Sequence, residues 1–531
     1  MSLIEILLPA VYQLSGLLLT LYAGFVLLSV LLFLRNRGRG RPFAAAPAQW
    51  PHVTVQLPIY NEPRVATRLL AAVAALDYPR DRLHIQVLDD STDKTTAQVR
   101  GLAGHLRRSR GMDIHYQHRS QRQGYKAGAL AAALPQAAGE FIAIFDADFR
   151  PPPDWLRRAL PPLLADPGLA FVQTRWDHLN RGQNSITAAQ SLALDGHFVV
   201  EQHARTAAGL WQNFNGSAGI WRRAAILDAG GWQQDTVTED LDLSYRAQLR
   251  GWRGAYLDQV AAPAELPPLL SSYKRQQRRW AKGSAQTLRK LAPALWRSNH
   301  PWPLRVHALL HLSAYATHLP LLALLLLTLP FALLPSQELP LPMVGAISSL
   351  LSIAPFLMYG LARYQLGGRG GLRSLWALPL LALISIGLSP TVAGAVIDGL
   401  LHGGGAFERT PKQGNGARLA ALPEGLTVRD LLPEALTLAY ALITVAVALL
   451  AGAWALLPLP LLYTLGSGLV LRLSLGEWLD QYAVCSGQYA VFSGQYAVVS
   501  YQLSVIGGRW RTLFKALQRP IAPTDPLNTE Y

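Results

Sequence analysis

The sequence predicts an α/β domain with a doubly wound sheet, inserted between transmembrane helices. Three observations point that way. Residues 6–34 (ILLPAVYQLSGLLLTLYAGFVLLSVLLFL) carry no charge and exceed the roughly 20 residues needed to cross a bilayer. Between residues 53 and 145, short apolar runs alternate with stretches of helical periodicity, as in a parallel sheet with crossover helices. Further apolar blocks follow at 305–334, 343–362, 375–401 and 434–474. At 531 residues, two or more structural units are expected. With 50 % apolar and only 15 % charged residues, the chain is oily for a soluble protein.

The first block is expected to be a retained anchor rather than a signal peptide. Only Glu5 precedes it, where a signal would be basic, and it is too long for the apolar core of one. The cluster RNRGRGR at 35–41 marks the cytoplasmic side, which puts the N-terminus outside and the large polar domain in the cytosol. Residues 1–44 thus form the anchor and its basic flank, 45–300 the polar domain, 301–474 a membrane region and 475–531 a cytosolic tail.

Within the polar domain, VTVQLPIY (53–60) reads as the first strand, followed by helical periodicity over 63–77. IQVLDD (85–90) is the second, and Ser91-Thr92-Asp93 after it is an N-cap cluster. IHYQH (114–118) is the third, YKAGALAAAL (125–134) a strong helix former, and FIAIF (141–145) the fourth strand. Doubly wound sheets bind ligands beyond the C-terminal ends of their strands. Asp89 and Asp90 end the second strand, and Asp146 and Asp148 follow the fourth, so both acid pairs fall on one rim. Hard divalent cations take such oxygen ligands together with substrate phosphates. A lone Asp-x-Asp is ordinarily a solvated turn. The second pair at a neighbouring strand end favours a metal and phosphate site.

Two later stretches each carry two readings. Thr238-Glu239-Asp240 opens an amphipathic helix, where acids serve as first-turn stabilisers or one of them acts as a general base. YKRQQRRWAKG (273–283) is either the basic collar of the following membrane helix or a diphosphate clamp with an aromatic platform. The single cysteine, Cys485, excludes an internal disulfide and a cysteine-based zinc site. The net charge of +15 sits largely beside apolar blocks, without a zinc-finger or RNA-binding signature. No nucleic-acid partner is expected, whereas an anionic nucleotide would be attracted.

In order along the chain, VQLPIYNEP, IQVLDDSTD, GYKAGAL, IAIFDADF, FNGSAGIWR, TEDLDLSYRAQLRGW and QQRRW resemble a family-2 glycosyltransferase of the cellulose-synthase superfamily. The stretch from about 53 to 290 is most similar to the plant cellulose-synthase-like A and C families, the mannan and glucan synthases, and their bacterial relatives. The resemblance implies a GT-A-type nucleotide-sugar domain. It also implies that Tyr60, Asp89 and Asp90 hold the nucleotide, with Lys126 near the diphosphate. Asp148, with Asp146 beside it, would meet Mg2+ or Mn2+. Asp240 would be the catalytic base, and Arg279 would take up leaving-group charge. Gln276 and Trp280 would bind the acceptor, with Asn215, Gly216 and Gly219 lining its entrance. AFERTPK (406–412), within a loop at 403–430, resembles the superfamily's gating loop at Phe407, Thr410 and Lys412, although Arg409 replaces an apolar residue and Pro411 is foreign to the pattern.

The activity so implied is inverting transfer of a hexose from UDP-glucose or GDP-mannose to a β-linked polysaccharide, processive and coupled to export. The alternative is addition of one sugar to a membrane lipid, as in ceramide glucosyltransferases. The charge pattern gives five crossings and a cytosolic C-terminus. Both flanks of 375–401 are basic, so that block is expected to lie at the interface or re-enter, broken at Ser389-Pro390. The heptapeptide repeat at 481–501 (QYAVCSG, QYAVFSG, QYAVVSY) is expected to lie on the membrane surface or be disordered.

Overall fold

A computed structural model of the protein describes residues 3–37, 46–333, 353–406 and 426–490. The gating-loop residues Phe407, Thr410 and Lys412 lie outside them. Seven strands form one sheet: β1 (Val53–Ile59), β2 (Leu83–Asp89), β3 (Asp113–His118), β4 (Phe141–Ile144), β5 (Leu169–His178), β6 (Gly219–Arg222) and β7 (Arg253–Ala264). Their order is β3-β2-β1-β4-β6-β5-β7. The chain winds outward from β1 to β2 and β3, then returns to place β4 on the other side of β1. That reversal opens a crevice at the C-terminal ends of β1 and β4.

The alternation within β4 explains why it reads as an unbroken apolar run. Phe141 and Ala143 join one apolar layer with Val55, Leu57, Leu69 and Trp155, while Ile142 and Ile144 join the other with Leu130, Phe171 and Trp221. Both faces are covered, as the sheet of an α/β domain requires. The polar residues Gln56 and Gln86 sit in register on β1 and β2, Gln56 Nε2 donating to Gln86 Oε1 at 2.9 Å and Gln86 Nε2 to the Ala133 carbonyl at 3.2 Å.

The sheet is mixed rather than wholly parallel. Strands β1 to β4 are parallel, but β6 runs antiparallel to both β4 and β5. The reversal matters for the site. Gly219, the first residue of β6, pairs with Ile144, the last of β4. The FNGSAG segment before β6 therefore arrives at the same rim as Asp146.

Among the described residues, five helical stretches are long and apolar enough to cross a membrane: Leu7–Arg35, Ala314–Leu333, Ala354–Gly387, Leu432–Leu450 and Pro458–Asp480. Leu14, Leu17 and Leu31 of the first are 54 %, 58 % and 54 % exposed, a surface that lipid would cover. The number matches the sequence-based expectation; of the third expected block, 343–362, the residues before 353 lie outside the described ones. Leu378–Gly387 joins the stretch that begins at Ala354, with a bend at Gly367–Gly368. Only Ser389–Leu401 remains as the separate short helix expected after the Ser389-Pro390 break. The last helix continues to Ala490, through the first copy of the heptapeptide repeat.

The helix Leu270–Arg297 links the two halves and is anchored at its start by carboxylates from two of the apolar helices, Pro458–Ala490 and Leu432–Leu450. Glu477 accepts the backbone N–H groups of Leu270 and Ser271 at 2.5 and 3.0 Å, filling the cap role that Leu269 cannot. Lys274 pairs with buried Glu434 at 2.6 Å, and Thr391 donates to the same carboxylate at 2.7 Å. Glu434→Ala would strand the lysine and is expected to cost about 3–5 kcal/mol, read as a lower thermal midpoint of the solubilised chain. Adding Lys274→Met should recover much of it. An unchanged midpoint in the single variant would contradict the anchoring role.

Candidate active site

The rim of β1, β2 and β4 opens into a cleft with about 1240 Å3 of empty space, part of it open to solvent. Tyr60, Asp90, Lys126, Asp146, Asp148, Asn215, Gly216, Asp240, Gln276, Arg279 and Trp280 all line it. Residues spread over more than 200 positions of sequence are thus gathered in one place. Asp89 and Gly219 are not among them. Asp89 is fully buried, accepting the Ser91 N–H at 2.9 Å and the Tyr116 hydroxyl at 2.7 Å; it shapes the loop behind the wall. Gly219 is sealed in β6, where a Cβ would sit 2.4 Å from the Phe214 ring and 2.6 Å from the Val172 carbonyl.

Asp90 has a defined structural partner. Arg119 grips it in a fork, Nε to Oδ1 at 2.7 Å and Nη2 to Oδ2 at 2.6 Å. The same guanidinium donates to the carbonyls of Gln123 and Tyr125, so it fixes the turn that presents Arg122 and Lys126. Arg122 lies 3.5 Å from the centroid of the Tyr60 ring, a cation–π contact at the cleft wall. Neither arginine was marked by the sequence, because basic residues in a polar stretch such as HRSQRQGYK are ordinarily solvated.

Lys126 is the electrostatic hub. Its Nζ lies 2.6 Å from Asp146 Oδ1 and 3.8 Å from Glu239, and donates to the Gly216 carbonyl at 2.8 Å. Burial works against its charge, but Asp146 first and Glu239 next more than offset this, so its proton is held more tightly than on a free lysine. Arg279 also feels Glu239, Asp146, Asp240 and Asp148; burial lowers its pKa, and these acids restore part of the difference.

Asp240 stands in the first turn of the helix Glu239–Leu249. Burial pushes its carboxyl up to about 7, the charge of Glu239 adds to this, and Lys126 pulls the other way. Gly216 makes room for it: its φ is +83°, and a Cβ there would lie 2.9 Å from Asp240 Oδ2. The described non-glycine residues with positive φ are Asn61, Tyr125 and Ala218, each one or two residues from Tyr60, Lys126 or Gly216. Backbone strain is concentrated in the loops that build the cleft.

A carboxyl held near 7 suits proton acceptance at neutral pH. If Asp240 is the base, its ionised form is the active one, and activity is lost as pH falls through about 7. A pH–rate profile of the purified chain should rise between about pH 6 and 8 and then level. A rate independent of pH over that window would exclude Asp240 from the proton step.

Asp146 and Asp148 also fit a hard divalent metal. Both carboxylates belong to the cleft, and Asp146 is 35 % exposed. Among the described residues no group of three or more His, Cys, Asp or Glu gathers as a metal cage. A pair of oxygen donors instead suits Mg2+ or Mn2+, which take their remaining ligands from phosphate and water.

Residues 51–283 match the model of a glycosyltransferase-like family 2. Glucomannan 4-beta-mannosyltransferase 2 of Arabidopsis thaliana is 41 % identical over 287 residues, which are 52 % of this chain and 54 % of that protein. Glucomannan 4-beta-mannosyltransferase 7 of the same plant is 39 % identical over 290 residues, 53 % of this chain and 52 % of the relative. The chain thus spans about half the length of these curated relatives. A solved structure, the mannosyltransferase PcManGT from Pyrobaculum calidifontis in complex with GDP-Man and Mn2+, is 25 % identical, with a TM-score of 0.49 over 70 % of this chain and 99 % of that one.

Proposed function

We propose that the protein, whose residues 51–283 match a glycosyltransferase-like family 2 model, transfers mannose from GDP-mannose to the growing end of a β-linked polysaccharide. The observation that carries this reading is the cleft itself. It joins a carboxyl held at about 7 to the cations Lys126 and Arg279, which suit a diphosphate. Mannose as the sugar is supported by the plant relatives, glucomannan mannosyltransferases by name.

In this reading Arg122 and Tyr60 flank the donor, and Lys126 and Arg279 face its diphosphate. Mg2+ or Mn2+ held by Asp146 and Asp148 would neutralise that diphosphate and make it a better leaving group. The acceptor sugar stacks on Trp280 and is oriented by Gln276 and Asn215. Asp240 takes the proton of the acceptor hydroxyl, whose oxygen attacks the anomeric carbon from the face opposite the nucleotide. The carbon–oxygen bond to the diphosphate breaks as the new glycosidic bond forms, which turns an α-linked donor into a β-linked product. Catalysis rests on positioning and on charge complementarity.

The domain faces the cytosol, where nucleotide sugars are supplied, and the N-terminus faces outward. The product leaves through the membrane helices as it is extended. Equilibrium binding of GDP-mannose and UDP-glucose to the purified chain, with and without Mg2+ or Mn2+, tests the donor assignment. Tighter, metal-strengthened binding of GDP-mannose is expected. A preference for UDP-glucose would overturn the assignment.

A further inference from the structure

We propose that Gln286 is a positioning residue for Asp240, acting through the backbone of Val237; this rests on the role of Asp240 given above. The helix Glu239–Leu249, which carries Asp240 in its first turn, has no side-chain cap at Thr238. Its start is not fixed from within, as a capped helix would be. Its placement comes from the neighbouring helix Leu270–Arg297.

That helix presents Gln276, Arg279 and Trp280 to the cleft and continues along the same face, at helical spacing, with Gly283, Gln286 and Lys290. Gly283 packs directly on Thr238, where a Cβ would meet Cγ2 and Oγ1 at 2.4 Å. Gln286 is 1 % exposed. Its Oε1 accepts the Val237 N–H at 2.9 Å, and its Nε2 donates to the carbonyls of His402 and Gly404 at 2.9 and 2.7 Å. The Gly404 N–H in turn donates to the Asp235 carbonyl at 2.7 Å. One turn further, Lys290 reaches Gln233 at 2.7 Å and both Asp235 and Asp242 at 2.8 Å.

The segment leading to Asp240 is therefore held at several points, and the buried Gln286 holds it at Val237, three residues before the base. Asp240 has little freedom on its other side, where Gly216 admits it only by lacking a Cβ. A slip of Val237 would move the carboxylate off the acceptor hydroxyl without touching the donor site. Small misplacements of a catalytic group are costly.

The test uses the full chain in detergent or lipid nanodiscs, with Gln286→Met and Gln286→Glu beside the unmodified protein. Methionine keeps the volume and removes all three hydrogen bonds. Amide exchange of peptides covering 235–241 should accelerate in Gln286→Met, while those covering 270–282 stay protected. Its kcat should fall about 10- to 100-fold, with donor KM changed less than about twofold. Protonated glutamic acid can accept from Val237 and donate to one carbonyl, so Gln286→Glu should outperform Gln286→Met at pH 6 and lose that advantage at pH 9. Unchanged exchange over 235–241, or a kcat matching the unmodified chain, would overturn the proposal. So would equal losses in both variants at every pH. Absence of sugar transfer by the unmodified chain would contradict the proposed function instead, and the exchange comparison would still decide the role of Gln286.

Discussion

Asp240→Asn should lower sugar transfer by about 10²- to 10⁴-fold while donor binding persists. The substitution keeps the shape of the side chain and removes its capacity to accept a proton as a base. Lys126, Arg279, Asp146 and Asp148 remain in place, so the groups proposed to hold the donor are untouched. The check pairs turnover at saturating GDP-mannose with equilibrium binding of the same nucleotide sugar. Turnover like that of the unmodified chain would remove Asp240 from the chemistry. A proportionate loss of binding would mean that it serves the donor instead.

Lys126→Met should be nearly as damaging, for a different reason. It removes the cation that faces Asp146 at 2.6 Å and Glu239 at 3.8 Å. Asp146, Glu239 and Asp240 would then confront an incoming diphosphate with less to balance them, and kcat/KM should fall about 10²- to 10³-fold. The pH dependence should move as well. Lys126 holds the Asp240 carboxyl down against burial and Glu239, so losing it raises that pKa further, and the acid limb of the rate profile shifts to higher pH. An acid limb still near 7 in this variant would show that the two groups are not coupled.

Much of the fold was legible because a strand buried on both faces is a continuous apolar run. β1, β2 and β4 announce themselves in this way, and the acids at two of their ends mark the rim, whereas β3 lies at the sheet edge with only Ile114 buried. β6 was not legible. Four residues, Gly219–Arg222, carry too little pattern, and their antiparallel direction follows from how the chain returns across the sheet. The acid doublet illustrates a finer limit. Asp89 and Asp90 look equivalent on paper, yet Asp89 ends β2 with its side chain committed to Ser91 and Tyr116, while Asp90 lines the cleft beside Arg119. Gly216 and Gly219 differ in the same way: one uses a positive φ to clear space for Asp240, the other packs in a strand.

Glu239 lies within a quoted stretch and Arg119 and Arg122 fall between two of them, but nothing in their spacing sets them apart from solvated charges. Their contribution depends on partners distant in sequence. The same holds for Gln286, an ordinary polar residue on an amphipathic helix until Val237, His402 and Gly404 are brought against it. In the membrane half, apolar length located five spans.

The most direct measurement is the product made by the purified full chain in liposomes supplied with radiolabelled GDP-mannose and Mg2+ or Mn2+. A polymer that β-mannanase degrades is the expected result. A single-sugar product soluble in organic solvent, or labelling only when UDP-glucose replaces GDP-mannose, would contradict a mannan-extending transferase.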